Sequence, residues 1–210
     1  PDFQLLALKA IAEQTLKHTP EFFGQATVPL FVPGELPRQR LTFQSPVVLY
    51  ASPYNPGAIH VANALHDVFG DSITVLNDPN VIQPATQRQR SRRGRDGGPT
   101  HFLLYLNDQT FVGAPGQLLA HEMRTVRESG SPSVVMVHEN DPHRGGCIFD
   151  TFFMTTPGAL LQGGIYKAIA LALYSGAFWP ASVALVARAL GATEVVGRCA
   201  RGGVCTTEAV

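Results

Sequence analysis

The sequence predicts an α/β fold: a three-layer, flavodoxin-like domain in which a five-stranded parallel sheet carries helices on both faces. Short apolar runs bounded by turn residues alternate along the chain with stretches whose apolar residues recur every three or four positions. Such alternation requires crossover connections, which make the strands parallel and cover both faces of the sheet. The 210 residues, 45% hydrophobic and 15% charged, suffice for one such core and exclude wholesale disorder.

The first 44 residues are predicted to precede this core as a helix and an extended segment. Apolar residues at helical spacing predict an amphipathic helix that ends near residues 18–20. Several prolines and glycines then interrupt residues 21–42. We therefore expect an extended segment that packs on an edge of the domain and contains at most one short strand.

Residues 45–192 are predicted to form the α/β domain itself. Its strands are expected at residues 47–50, 72–76, 101–106, 133–137 and 168–173. Its main helices are expected at residues 58–69, 117–128 and 180–190, and a glycine follows the end of each. Residues 83–100, rich in Gln, Arg, Gly and Pro, are predicted to be a flexible loop, and residues 193–210 a flexible C-terminal tail.

Composition excludes several classes of function. Sixteen basic residues balance sixteen acidic ones, so no overall field attracts nucleic acid or an anionic membrane. The longest apolar stretch, residues 165–192, is interrupted by charged residues and a proline, which predicts no membrane insertion. Three cysteines without metal-ligand spacing favour a reducing compartment, so a cytoplasmic location is expected.

Three segments resemble the Toll/interleukin-1 receptor (TIR) domain. They are Val47-Val-Leu-Tyr-Ala-Ser before a helix, Ile73-Thr-Val-Leu-Asn-Asp78 before a loop, and Phe102-Leu-Leu-Tyr-Leu-Asn-Asp108 before a helix that contains Leu118-Leu-Ala-His-Glu122. The likeness covers roughly residues 45–192 and implies the same parallel sheet. Asp78 matches the acid that opens the family's BB loop, and Glu122 matches its helical acid. The chain departs from the family at residues 81–99, which are too polar for the usual second helix, and at Leu118, where an aromatic residue is usual.

The resemblance implies two functions, and the first is a TIR-like intracellular signalling and assembly module. Such a module acts by association with like domains or within a larger complex, so its partners are proteins and it requires no cofactor. The alternative is an NAD⁺ glycohydrolase, with NAD as substrate. In that case Glu122 stabilises the ribosyl cation that forms as nicotinamide departs. A third hypothesis is a non-catalytic structural α/β subunit of a larger assembly.

The candidate binding residues surround the bends that close the first two strands: Ser52, Tyr54, Asn55, Gly57 and Asp78. The bend at residues 52–57 precedes a helix, so backbone N–H groups near its end could face a phosphate. The side chain of Tyr54 could stack on a base. An ordinary β-to-α turn is the alternative interpretation.

Glu122 also has an alternative, structural interpretation. In that interpretation Glu122 is a solvated helix residue whose carboxylate pairs with Arg124 or Arg127 or faces water. An exposed ion pair of this kind stabilises the fold by at most about 1 kcal/mol.

Four further groups of residues are candidates for binding, catalysis or partner contact. The five arginines of residues 88–95 could bind phosphates or an acidic partner, or be a solvated loop. His138 and His143 bracket two carboxylates in a loop that could hold a metal, although its spacing matches no metal motif and no metal site is predicted. Cys147 is a candidate nucleophile or a semi-buried thiol. Phe149, Phe153 and neighbouring apolar residues are core contacts or partner-binding residues.

Overall fold

The computed structural model describes residues 2–24, 30, 41–82 and 100–194. Its strands are β1 (Leu41–Thr42), β2 (Val47–Ala51), β3 (Ile73–Leu76), β4 (His101–Leu106), β5 (Ser133–Glu139), β6 (Leu171–Leu173) and β7 (Thr193–Glu194). Its α-helices are α1 (Asp2–Leu16), α2 (Ala58–Phe69), α3 (Gly113–Ser129), α4 (Asp150–Thr155), α5 (Gly158–Gln162) and α6 (Trp179–Ala189).

Five of these strands form one parallel sheet in the order β3-β2-β4-β5-β6. This is the flavodoxin-like order, and it confirms the predicted five-stranded parallel sheet. The chain leaves β2 in one direction to make β3 and then crosses back to make β4 on the other side. Ligand sites of open α/β sheets lie outside the carboxyl ends of the strands at such a reversal.

Helices cover both faces of the sheet, which gives three layers. On one face the buried residues of β2 and β4, Leu49 and Leu103 among them, pack with apolar residues of α2 and α6. On the other face Tyr50 and Leu104 pack with α3, α4 and α5. Because successive residues of a strand point to opposite faces, the near-continuous apolar runs of β2 and β4 supply both cores.

Two elements differ in extent from their predicted bounds. The fourth predicted strand continues to Glu139, because the carboxylate of this residue is buried and hydrogen-bonded instead of lying in a loop. The fifth is shorter than residues 168–173: a 3-10 turn occupies Ile165–Lys167, and regular pairing with β5 begins only at Leu171.

The helix α3 begins four residues before its predicted start. Gly113–Gly116 carry no apolar periodicity that would signal a helix. A Cβ on Gly116 would lie 2.1 Å from the backbone carbon of Phe111, so only glycine permits this close approach of the helix to the preceding chain.

The segment before the sheet and the chain after it meet in a two-stranded antiparallel ladder. Leu41 is paired with Glu194 and Thr42 with Thr193. This ladder supplies the one short strand expected in the N-terminal segment, and its partner strand comprises the first two residues of the range predicted as a tail. Residues 83–99 of the flexible loop predicted at 83–100, with its arginines, lie outside the described residues. The same holds for residues 25–29 and 31–40 of the predicted extended segment and for residues 195–210 of the predicted tail.

Candidate functional site

The carboxyl ends of β2 and β4 are joined by side-chain hydrogen bonds. Asn107, which follows β4, donates from Nδ2 to the carbonyl of Pro56 in the bend after β2 (2.8 Å). The amide of Asn55 donates to the carbonyl of Tyr105 and accepts from its N–H, both at 2.8 Å. These bonds hold the bend rigidly at the point where the strand order reverses.

Glu122 lies on the buried side of α3, directed toward the sheet. Leu119, Met123 and Val126 of the same helix are buried at helical spacing, and Glu122 shares their stripe with 5% of its surface exposed. The hydroxyl of Tyr50, on β2, donates a 2.7 Å hydrogen bond to Glu122 Oε1. The structure therefore brings the predicted helical acid to the end of the first sheet strand.

The second carboxyl oxygen of Glu122, Oε2, is buried and has no hydrogen-bond partner among the residues that the structure describes. The arginines expected as its ion-pair partners are engaged elsewhere: Arg124 donates from Nε to the carbonyl of Ala120, and Arg127 donates to the carbonyl of Gly163. A buried carboxyl oxygen without a hydrogen-bond partner lowers the stability of the folded protein. Buried titratable groups in such unfavourable surroundings are common at sites that bind a ligand.

Burial determines the proton affinity of this carboxyl. Desolvation raises the pKa of Glu122, while the hydroxyls of Ser52 and Tyr50 and the charge of His121 act to lower it. Burial and the neighbouring carboxyl also raise the pKa of the Tyr50 hydroxyl well above its ordinary value of 10.0. Tyr50 therefore stays a hydrogen-bond donor to Glu122 throughout the physiological range.

The predicted binding residues Ser52 and Tyr54 lie on the same side of the sheet as Glu122. Ser52 follows Tyr50 by two residues and is 1% exposed, and its Oγ accepts the backbone N–H of Tyr54 (3.1 Å). Tyr54 is half-buried and packs against the cluster that contains Tyr50. Ser52, Tyr54 and Glu122 thus form one neighbourhood.

Asn55 and Gly57 have structural contacts that account for their residue types. Both polar atoms of the Asn55 side chain bond to Tyr105. Gly57 begins α2 with φ +86°, and a Cβ there would lie 2.6 Å from Tyr105 Cε1. The N–H of Ala58 already donates to the Asn55 carbonyl (3.1 Å), which removes one donor from the predicted phosphate position.

Asp78 lies at the end of β3 with its side chain exposed. Its Oδ1 accepts the backbone N–H of Asn80 (3.0 Å) and the side-chain amide of the same residue (2.8 Å), which closes the Pro79–Val81 turn. Leu76 and Ile82, on either side of this turn, pack in the cluster that contains Tyr50. The apolar residues on either side of the bend after β3 therefore pack in the same cluster as Tyr50, the partner of Glu122, whereas the Asp78 side chain is exposed.

Two tyrosines and a second buried glutamate were not anticipated from the sequence. Tyr50 is fully buried in β2. On the opposite face, Glu139 Oε2 accepts a hydrogen bond from the Tyr105 hydroxyl (2.6 Å) and forms an ion pair with Arg144, whose Nε lies 3.3 Å away. A tyrosine inside an otherwise apolar strand was the available signal, since a buried phenol needs a hydrogen-bond partner.

The candidate reactive residues at the end of β5 and in the loop after it have structural contacts. The ring of His138, in β5, packs edge-on against Phe149 and Phe152, and its Nε2 lies 2.7 Å from the Cys147 carbonyl oxygen. Burial raises the pKa of the Cys147 thiol, the opposite of what a nucleophile needs. Across residues 2–24, 41–82 and 100–194, no three His, Cys, Asp or Glu side chains are grouped closely enough to hold a metal ion.

Comparison with known proteins identifies no relative. No protein-family model matches the chain, and no curated protein and no solved structure matches it. The resemblance to TIR domains therefore stays a prediction from the residues quoted above. None of the helices in the described part of the chain is both long and apolar enough to cross a membrane.

Proposed function

We propose that this protein cleaves the N-glycosidic bond of NAD⁺ with Glu122 as the catalytic residue. The observation that carries the proposal is the buried carboxyl whose Oε1 is held by Tyr50, while Oε2 has no partner among residues 2–24, 41–82 and 100–194. The bond between ribose C1′ and the nicotinamide nitrogen breaks, and nicotinamide leaves with the electron pair. Water then adds to C1′ and loses a proton, so the products are nicotinamide, ADP-ribose and H⁺.

A buried carboxylate suits this reaction because positive charge develops on the ribose only in the transition state. An ionised oxygen in a site with little water stabilises that charge far more than an exposed one does. In the ground state the positive charge of the substrate lies on the nicotinamide ring, and it moves to the ribose as the bond breaks. A carboxylate beside the ribose therefore stabilises the transition state more than the ground state. Tyr54, half-buried beside the site, offers a face on which a base can stack.

The test is nicotinamide release from NAD⁺ by the purified protein and by Glu122→Gln. Loss of one charge that acts in the transition state is expected to reduce the rate at least about 100-fold. Glu128→Gln, an exposed glutamate on the same helix, is the matched control and should release nicotinamide at the wild-type rate. No release by the wild-type protein at high concentration, or equal release by Glu122→Gln, contradicts the proposal.

An exposed apolar surface favours assembly as a second candidate function. Ile148, Phe153 and Met154 lie close together in the chain, at the start of α4 and along it, with 74%, 49% and 87% of their surfaces exposed. Clustered apolar side chains of this size are typical of protein interfaces. We propose that this surface associates with a second copy of the domain.

The association is tested by sedimentation velocity over a range of protein concentrations. A mass that rises with concentration in the wild-type protein, and stays that of a monomer in an Ile148→Glu, Met154→Glu double variant, supports the proposal. Leu8→Glu is the control, because Leu8 is similarly exposed at 63% on a different helix. A wild-type monomer at all concentrations contradicts it.

A further inference from the structure

Tyr50 is placed to control which oxygen of Glu122 is available. Its ring is fully buried, with the Phe102 ring edge-on at 5.1 Å between centroids. Its backbone is paired on both sides, to Leu76 in β3 and to Phe102 in β4. A tyrosine fixed in this way directs its hydroxyl to one point, and that point is Glu122 Oε1 at 2.7 Å.

We infer that Tyr50 is a positioning residue, which holds the ionised Glu122 carboxylate through Oε1 so that Oε2 is the oxygen presented to the substrate. This inference rests on the proposed NAD⁺ cleavage. A glutamate side chain has three rotatable bonds, and without a fixed donor its two oxygens exchange freely. A donor anchored in β2, an interior strand of the sheet, removes that freedom before the substrate binds.

The chain contains a second tyrosine–glutamate pair, Tyr105 and Glu139, in which both carboxyl oxygens have partners. Both oxygens of Glu139 are occupied: Oε2 by Tyr105 and Arg144, and Oε1 by the backbone N–H of Asp141 (2.9 Å). Within the described part of the chain, Glu122 has one phenol donor and no arginine partner, and its second oxygen is unpaired. The hydrogen bonds of the Glu139 pair are complete, whereas in the described residues the Glu122 pair leaves Oε2 without a donor.

The hydrogen bond from Tyr50 also bears on the ionisation of the carboxyl. A donor to the charged form favours that form and opposes the desolvation that raises the Glu122 pKa. The other groups that act on Glu122 are Ser52, from the bend after β2, and His121, from its own helix, and Tyr54 acts on Tyr50. Removal of the phenol hydroxyl should therefore shift the ionisation of Glu122 to higher pH.

The experiment compares Tyr50→Phe with Tyr105→Phe, which removes the equivalent hydroxyl on the opposite face. Activity that needs ionised Glu122 rises with pH, and the midpoint of that rise reports the ionisation. Tyr50→Phe should move the midpoint up by about one pH unit and lower the plateau, whereas Tyr105→Phe should leave the midpoint in place. A uniform loss of activity in Tyr50→Phe with an unmoved midpoint overturns the inference.

A titration that needs no substrate separates this inference from the proposed function. The protein is labelled with glutamate enriched in ¹³C at its side-chain carboxyl, and the Glu122 resonance is assigned by its absence in Glu122→Gln. An upward shift of its titration in Tyr50→Phe supports the role of Tyr50, even if the wild-type protein releases no nicotinamide and the proposed function fails. If the wild type cleaves NAD⁺ but Tyr50→Phe shifts neither the titration of Glu122 nor the midpoint of activity, the role of Tyr50 is rejected and the proposed function stands.

A second substitution at Tyr50 strengthens the hydroxyl as a donor instead of removing it, and should reverse the direction of the change. Fluorotyrosine at position 50 keeps the ring and makes the hydroxyl a stronger donor. The titration of Glu122 should then move to lower pH than in the wild type. An unchanged or upward shift counts against the inference.

Discussion

The hydroxyl of Tyr105 donates a 2.6 Å hydrogen bond to Oε2 of the fully buried Glu139. Tyr105 and Glu139 lie on adjacent strands, β4 and β5, on the face opposite Tyr50 and Glu122. Arg144 lies 3.3 Å from the same oxygen, and its guanidinium stacks over Trp179 at 5.4 Å from the ring centroid. The pair therefore fastens the loop after β5 to the sheet and to the start of α6.

Arg144→Met should destabilise the fold by about 1–3 kcal/mol. The substitution leaves the buried Glu139 carboxylate without its cation, while the partial exposure of Arg144 moderates the loss. Urea denaturation of the two proteins measures the difference. Arg188→Met, which replaces an exposed arginine on α6, is the control and should change the free energy of unfolding by less than about 0.5 kcal/mol. Equal effects of the two substitutions would refute this role of Arg144.

Asn55→Ala should destabilise the protein by about 2–3 kcal/mol. It removes two buried hydrogen bonds and leaves the N–H of Tyr105 without its partner. Asn80→Ala removes an exposed amide that bonds to Asp78 within its own turn, and should cost about 0.5 kcal/mol or less. Thermal unfolding followed by circular dichroism separates the two. A small loss in Asn55→Ala would show that the bend after β2 does not depend on this bridge.

Gly57→Ala should cost more stability than Gly130→Ala. Both glycines have positive φ, +86° and +67°, so alanine at either position should destabilise the fold by about 1 kcal/mol through backbone strain. At Gly57 the new Cβ also meets the buried Tyr105 ring at 2.6 Å, whereas nothing lies within 4 Å at Gly130. We expect an additional loss of about 1–3 kcal/mol at Gly57, measured by chemical denaturation. Similar losses at both positions would mean that the ring of Tyr105 moves aside.

The free energy of unfolding of Glu122→Gln should increase relative to that of the wild type as pH rises. The folded-state pKa of Glu122 is raised above its ordinary value of 4.5, so the folded state binds a proton more tightly than the unfolded state. The wild type therefore loses stability as pH rises from below 4.5 through the folded-state pKa, and glutamine removes this loss. Denaturation at a series of pH values from 4 to 8 measures the difference, with Glu128→Gln as the control. A difference that is constant with pH contradicts the prediction.

The sheet was predictable because its signals are local. Each strand is a short apolar run closed by turn residues such as those after Leu76, and each main helix is followed by a glycine. The crossover rule then makes the strands parallel without any knowledge of distant contacts. The extra length of β5 escaped prediction because a charged glutamate is uncommon in a buried strand, and the partners that permit Glu139 there, Tyr105 and Arg144 among them, are not evident from local sequence.

The candidate site was predictable only in part. Glu122 was identified through a resemblance, and its place on the apolar stripe of α3 follows from helical spacing. Its partner Tyr50 lies 72 residues earlier in the chain, and no spacing rule connects positions so far apart. The structural roles of Asn55 and Gly57 also depend on a distant residue, Tyr105, so the sequence alone left them as binding candidates.

The ladder between Leu41–Thr42 and Thr193–Glu194 brings the entrance and the exit of the α/β core to one corner. Paired residues of an antiparallel ladder have Cα atoms about 5 Å apart, a gap that a short linker spans. A circular permutant that joins residue 194 to residue 41 and opens the chain elsewhere should therefore keep this architecture. For the same reason, residues 41–194 could be inserted into a surface loop of a host protein without forcing the ends of that loop apart.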